Sequence, residues 1–195
     1  MTNYLIAWTA VATLFAGACP AAETPTAATA LPHYVQAPGS SLTFTFVQEG
    51  AANKGSFKQF ATELRYDEKA PAPGSLTVKV QMASVDTGDK DRNEMITGTD
   101  LFDAHKFPMA QYVASSFAKR TDGSFEAIGK LTVRGMARDL RLPLKITRTA
   151  GGLELSGESV INRLDFGIGQ GDWKSTESVG DEVKLQYKVA LVKAP

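Results

Sequence analysis

From Tyr34 onward, apolar side chains recur at every second position. Leu42, Phe44 and Phe46 alternate with Ser41, Thr43 and Thr45, and Leu76, Val78, Val80 and Met82 alternate with Thr77, Lys79 and Gln81. The same period runs through Leu140, Leu142, Leu144 and Ile146, and through Val183, Leu185, Tyr187, Val189 and Leu191. Successive side chains of a strand point to opposite faces, so the pattern specifies antiparallel strands with one dry and one wet face. Further strands are expected over residues 57–66, 111–117, 125–133 and 153–161. Ala72-Pro73-Gly74, Asp122-Gly123, Gly151-Gly152 and Gly180-Asp181 supply turns between them.

About eight strands with one apolar face each can form two stacked sheets or one closed barrel. Closure removes the exposed edges that long alternating strands would otherwise leave, and a barrel of this size holds either its own side chains or one ligand. Residues 83–110 interrupt the rhythm. There Asp89 to Ile96 reads as a short helix stopped by Gly98, and Leu101, Phe102 and Phe107 are apolar enough to cover one end of a barrel.

The N-terminus obeys different rules. Tyr4 to Ala18 is uncharged and mostly apolar, and the small residues Ala16-Gly17-Ala18 and Ala21-Ala22 follow the pattern of a cleavage region. Residues 1–22 are expected to be a signal peptide and 23–33 a linker, leaving 34–195 as the exported folded domain. Cys19, directly after Gly17-Ala18, allows the alternative of a lipid-anchored chain.

Composition excludes several chemistries. Lys plus Arg and Asp plus Glu both number 21, so the chain has no net field to attract a nucleic acid backbone. One Cys and two His are too few for a zinc site built from those ligands. His105 stands near Asp100 and Asp103 with no second His or Cys, and no metal site is expected. His33 and His105 lack any nucleophile turn, and Gly167-Ile168-Gly169-Gln170-Gly171 follows no βαβ unit. No catalytic residue stands out, and the chain is read as a non-enzyme. Binding in a cavity remains, since diffuse apolar contact needs no motif. Periodicity alone favours a filled core, because inward residues look the same whether they meet each other or a ligand.

Several segments together resemble the YceI-like family. They are Val85-Asp86-Thr87-Gly88 with Arg92, Thr99-Asp100-Leu101-Phe102-Asp103, Lys106-Phe107-Pro108, and Gly129-Lys130-Leu131-Thr132-Val133-Arg134-Gly135. Asn162-Arg163-Leu164-Asp165-Phe166-Gly167 and Val179-Gly180-Asp181-Glu182-Val183 complete the set. The resemblance implies an all-β, eight-stranded antiparallel, lipocalin-like barrel with a short helical insertion. It also implies a periplasmic or secreted protein that holds an isoprenoid lipid, an isoprenoid quinone or a polyprenyl chain, in an apolar tunnel. Transient membrane contact and a homodimer belong to the same expectation. It reverses the preference for a filled core.

On that basis Phe44, Phe46, Val78, Val80, Met82 and Leu131 are expected to line the tunnel, with Val133, Leu142, Leu144, Leu185 and Tyr187. Phe102, Phe107 and Phe166 are expected at its ends. Asp86, Arg92 and Asn162 are expected to fix loops by hydrogen bonds. Gly39-Ser40-Ser41 stands where family members often carry His-Ser, and Met95-Ile96 where His-Leu is common. Two rivals are a packed barrel that binds a protein through residues 83–110 and an isoprenoid-modifying enzyme using a buried acid such as Asp86 or Asp165.

Overall fold

The computed structural model describes residues 31–71 and 73–195. The expected signal peptide, most of the linker and Cys19 lie outside the described residues. The strands are β1 (His33–Gln36), β2 (Ser41–Gln48), β3 (Ala51–Phe57), β4 (Phe60–Arg65), β5 (Ser75–Gln81) and β6 (Val85–Asp86). They continue with β7 (Met109–Lys119), β8 (Phe125–Val133), β9 (Met136–Thr149), β10 (Gly152–Asn162) and β11 (Glu182–Lys193), and one helix, α1 (Lys90–Thr97).

Hydrogen bonding runs β1-β4-β5-β7-β8-β9-β10-β11 and closes because β11 also pairs with β1. Strands β2, β3 and β6 extend β1, β4 and β5 upward along the same staves, so the wall is an eight-stave antiparallel barrel. The stave breaks explain the short strands. Gln36 pairs with Leu191 and Ser41 with Lys188, so four residues, Ala37 to Ser40, face two on β11. Ser40 Oγ donates to Ala37 O at 2.8 Å and accepts from the Ala190 N–H at 3.1 Å, which satisfies that kink. A second break at Lys58 and Gln59 divides the single strand expected over residues 57–66 into β3 and β4. His33, expected in the linker, opens β1.

The β8–β9 turn is two residues long. Arg134 and Gly135 both take positive φ, 50° and 74°, the conformation whose twist matches a hairpin. Helix α1 begins where the sequence places it: Asp89 Oδ1 accepts from the Arg92 N–H at 3.0 Å, and Gly98 caps the other end.

The lower end of the interior is packed solid. Leu64, Leu76, Leu144, Leu155 and Leu191 are almost completely buried, with Tyr66, Phe117 and Phe125 meeting edge to face beneath them. At the upper end β9 and β10 part company: they pair only between Gly152–Ser156 and Lys145–Thr149, and β10 then continues against β11 alone.

Candidate binding cavity

Above the packed floor the inward side chains pack around the wall but leave the axis unfilled. A lower chamber of about 100 Å³ and an upper chamber of about 170 Å³ follow each other along the barrel axis. They share Leu42, Val80, Ala110, Leu131 and Leu185, which form the neck between them. Phe44, Phe46, Met82, Phe102 and Val133 line the upper chamber; Val78, Leu142, Leu144 and Tyr187 line the lower one. Alternation therefore puts these expected residues on one continuous surface.

Two expected end residues are elsewhere. Phe107 lies under the β8–β9 turn, with the Arg134 guanidinium 5.9 Å from its ring and Gly135 against its edge. Phe166 is buried among Met82, Leu101, Ala104 and Ile168, behind the lining. Both belong to loops whose direction the strand period does not encode. Residues supplied by other segments also enter the wall: Phe57, Phe60, Thr62, Tyr112, Ile168 and Trp173. Phe60, Thr62 and Tyr112 carry a recognisable period-two signal within strands already expected. Ile168 and Trp173 sit in irregular backbone and carry none.

The rim of the upper chamber depends on Arg163, which is 3% exposed. Its Nε donates to Gly180 O at 3.0 Å, and one terminal nitrogen donates to Ile168 O at 2.8 Å and Trp173 O at 2.7 Å. The other donates to Ser175 O at 3.2 Å and Val179 O at 2.7 Å. All five N–H groups thus gather backbone carbonyls of one loop, a task only a planar five-donor group performs. Burial draws the guanidinium pKa down, while Asp181 opposes that shift. The loop so gathered presents Ile168, Trp173 and Val179 to the chamber.

Opposite this loop, the 83–110 segment covers the chamber with Ile96, Leu101 and Phe102, and Arg134 ties it down by donating to Thr99 O and Leu101 O. Met95 lines the mouth while 47% exposed, and Arg92 lines it with no side-chain hydrogen bond or ion pair among the described residues. Asp86 does fix a loop, accepting from the Gly88 N–H at 2.9 Å and pairing with Lys58 at 3.1 Å. The expected loop-fixing roles of Arg92 and Asn162 fall instead to Asn93, whose Oδ1 accepts from Thr87, and to Arg163.

Among the described residues no Asp or Glu lines either chamber; Asp165 is exposed and Asp86 bonds to Gly88 and Lys58 outside them. In the lower chamber the Tyr112 hydroxyl donates toward Ala127 O at 2.8 Å and Leu140 O at 3.1 Å, and that of Tyr187 donates to Pro143 O. Burial pushes both phenols well above their ordinary value, so they stay neutral. Thr62 is 2% exposed, and its Oγ1 has no hydrogen-bond partner among the described residues. Among the described residues no group of three or more His, Cys, Asp or Glu is placed to hold a metal ion, and no helix is long and apolar enough to cross a membrane.

A closed antiparallel barrel with a packed floor, an unfilled apolar interior and a covered mouth is a hollow barrel of the lipocalin-like class. The chain belongs to the YceI-like domain family, whose model matches residues 34–191. A UPF0312 protein of Yersinia pestis is 32% identical over 93 residues, 48% of this chain and 48% of that protein. The chain thus spans about half the length of the curated relatives it matches. The solved structure of BcnA from Burkholderia cenocepacia aligns with TM-score 0.74 and 31% identity, covering 77% of this chain and 94% of that one. A polyisoprenoid binding domain from Saccharophagus degradans, implicated in plant cell wall breakdown, aligns with TM-score 0.67 over 85% of this chain and 99% of that one. At 15% identity, that likeness shows the fold.

Proposed function

We propose that this chain is an exported binding protein that holds an isoprenoid lipid, an isoprenoid quinone or a polyprenyl chain, in the tunnel for carriage or storage, without turnover. The observation that carries the proposal is the pair of connected chambers walled by Leu, Val, Phe and Met above a solid floor. A filled barrel would spend these side chains on each other. Each methylene buried there contributes about 0.8 kcal/mol, so one five-carbon unit contributes roughly 3–4 kcal/mol without any polar contact. Polyisoprenoid binding by the Saccharophagus domain agrees with a tail of that kind.

Export rests on the apolar run and small residues of positions 1–22, and the exposed Met95 at the mouth supports transient membrane contact there during transfer. A homodimer is compatible with this use and not required by it. Native mass spectrometry of protein purified from a bacterial envelope, followed by organic extraction, tests the proposal. A reproducible prenyl-lipid adduct is expected; a reproducibly empty protein would overturn it. The mass of the same sample distinguishes a mature chain beginning at Glu23 from one retaining an acylated Cys19.

A further inference from the structure

Among the described residues, three buried side-chain polar atoms have no hydrogen-bond partner: His33 Nε2, Gln36 Oε1 and Thr62 Oγ1. Two of them converge. Strands β1 and β4 pair through Val35 and Glu63, so the next residues along, Gln36 and Thr62, are neighbours across the strands. They share the inward parity of Tyr34 and the fully buried Leu64. Thr62 is also part of the lower chamber wall.

A hydroxyl held unpaired in an apolar chamber destabilises the fold, and a valine would meet the same strand and packing demands without that cost. A buried water needs two to four polar partners; the tyrosine hydroxyls of this wall direct their protons to backbone carbonyls and could only accept from it, which leaves Gln36 Oε1 as the one other unpartnered polar atom beside Thr62 among the described residues. The remaining polar side chain of the lining, Gln111, is exposed on the outer face. An oxygen brought in by a ligand carries its own apolar body and needs only the one partner.

We propose that the lower chamber seats an uncharged oxygen of the cargo, a hydroxyl or a carbonyl, hydrogen-bonded to Thr62. The isoprenoid tail then runs up through the neck at Leu131 and Leu185 into the upper chamber. This rests on the lipid-binding proposal above and adds the chemical class of the buried end and the direction of insertion. A phosphate or carboxylate head does not fit there, because no Lys, Arg or His lines the lower chamber and a buried unpaired ion is strongly penalised.

Calorimetric titration of the mature protein, after exchange of endogenous lipid, tests this with three probes: farnesol, the hydrocarbon lacking its hydroxyl, and farnesyl phosphate. Thr62→Val should weaken farnesol about five- to tenfold and leave the hydrocarbon unchanged or tighter, while Thr62→Ser retains wild-type farnesol binding. Wild type should bind farnesyl phosphate more weakly than farnesol. Equal effects of Thr62→Val on farnesol and hydrocarbon would overturn the inference and leave lipid binding standing. Failure of all three probes to bind would overturn the lipid-binding proposal itself. Ligand-free Thr62→Val should also melt above wild type; a lower melting temperature would mean the hydroxyl has a partner in the empty protein, and would contradict the inference.

Discussion

The two ends of this barrel face inward with the same kinds of residue and do opposite things with them. At the floor, Leu64, Leu76, Leu144, Leu155 and Leu191 meet in a dense layer; at the top, Phe44, Phe46, Met82 and Val133 stand around open space. The cause is the wall. Around the floor every strand keeps both neighbours, β9 included, with an irregularity in β7 between Ala114 and Ser116. Around the top, three staves kink at residues 37–40, 58–59 and 82–84, and β9 separates from β10. Kinked, splayed staves leave space along the axis that the contacts of Phe44, Phe57 and Phe102 around it do not fill. Loops pinned by Arg163 and Arg134 then close the mouth. Hollowness here is a property of backbone geometry, not of side-chain type.

Breaking the clamp should have the largest effect. Arg163→Met strands several buried carbonyls at once, and a loss of about 3–5 kcal/mol in urea-unfolding free energy is expected. The next contrast separates floor from wall. Leu191→Ala, at a floor position that lines neither chamber, should cost about 2–5 kcal/mol by leaving a cavity in packed surroundings. Leu131→Ala, at the neck, only enlarges existing space and should cost clearly less by the same measurement.

Filling gives the converse. Ala127, fully buried in the floor, has no room to grow, and Ala127→Leu should lose about 1–3 kcal/mol. Ala110 lines both chambers, so Ala110→Leu should leave the melting temperature nearly unchanged while reducing prenyl-lipid affinity at least tenfold. The smallest effect belongs to Asp86, whose carboxyl the Gly88 N–H and Lys58 hold below the usual carboxylate range. A depressed folded pKa contributes stability above about pH 4 that is lost as pH falls through the folded value. Asp86→Asn should therefore match wild type in acid and unfold at slightly lower urea near neutrality.

The same contrast explains what could be read from the chain. Strands with full alternation, such as β5 and β11, are evident from sequence because every inward position carries a large apolar group. Strand β3, AANKGSF, shows no such period. Its inward Gly55 lies against the Phe44 ring, where a Cβ would come within 2.3 Å, so the glycine that makes the packing fit also erases the signal. Strand β1 escapes notice because it is four residues long between Pro32 and Pro38. Within the site, alternation places Val80, Leu131 and Leu185 correctly on the inner face. It says nothing of Arg163 or Trp173, whose positions follow from long-range hydrogen bonds, nor of whether the inner faces meet. The family motifs carried that last expectation.

The central claim is that the hollow half of the barrel is cargo space. A crystal structure of the protein with its co-purified lipid tests it most directly. Continuous density for a prenyl chain running from Thr62 past Leu131 and Leu185 toward Met95 is the expected result. Lipid confined to the outer surface, with the chambers collapsed or filled by their own side chains, would contradict it.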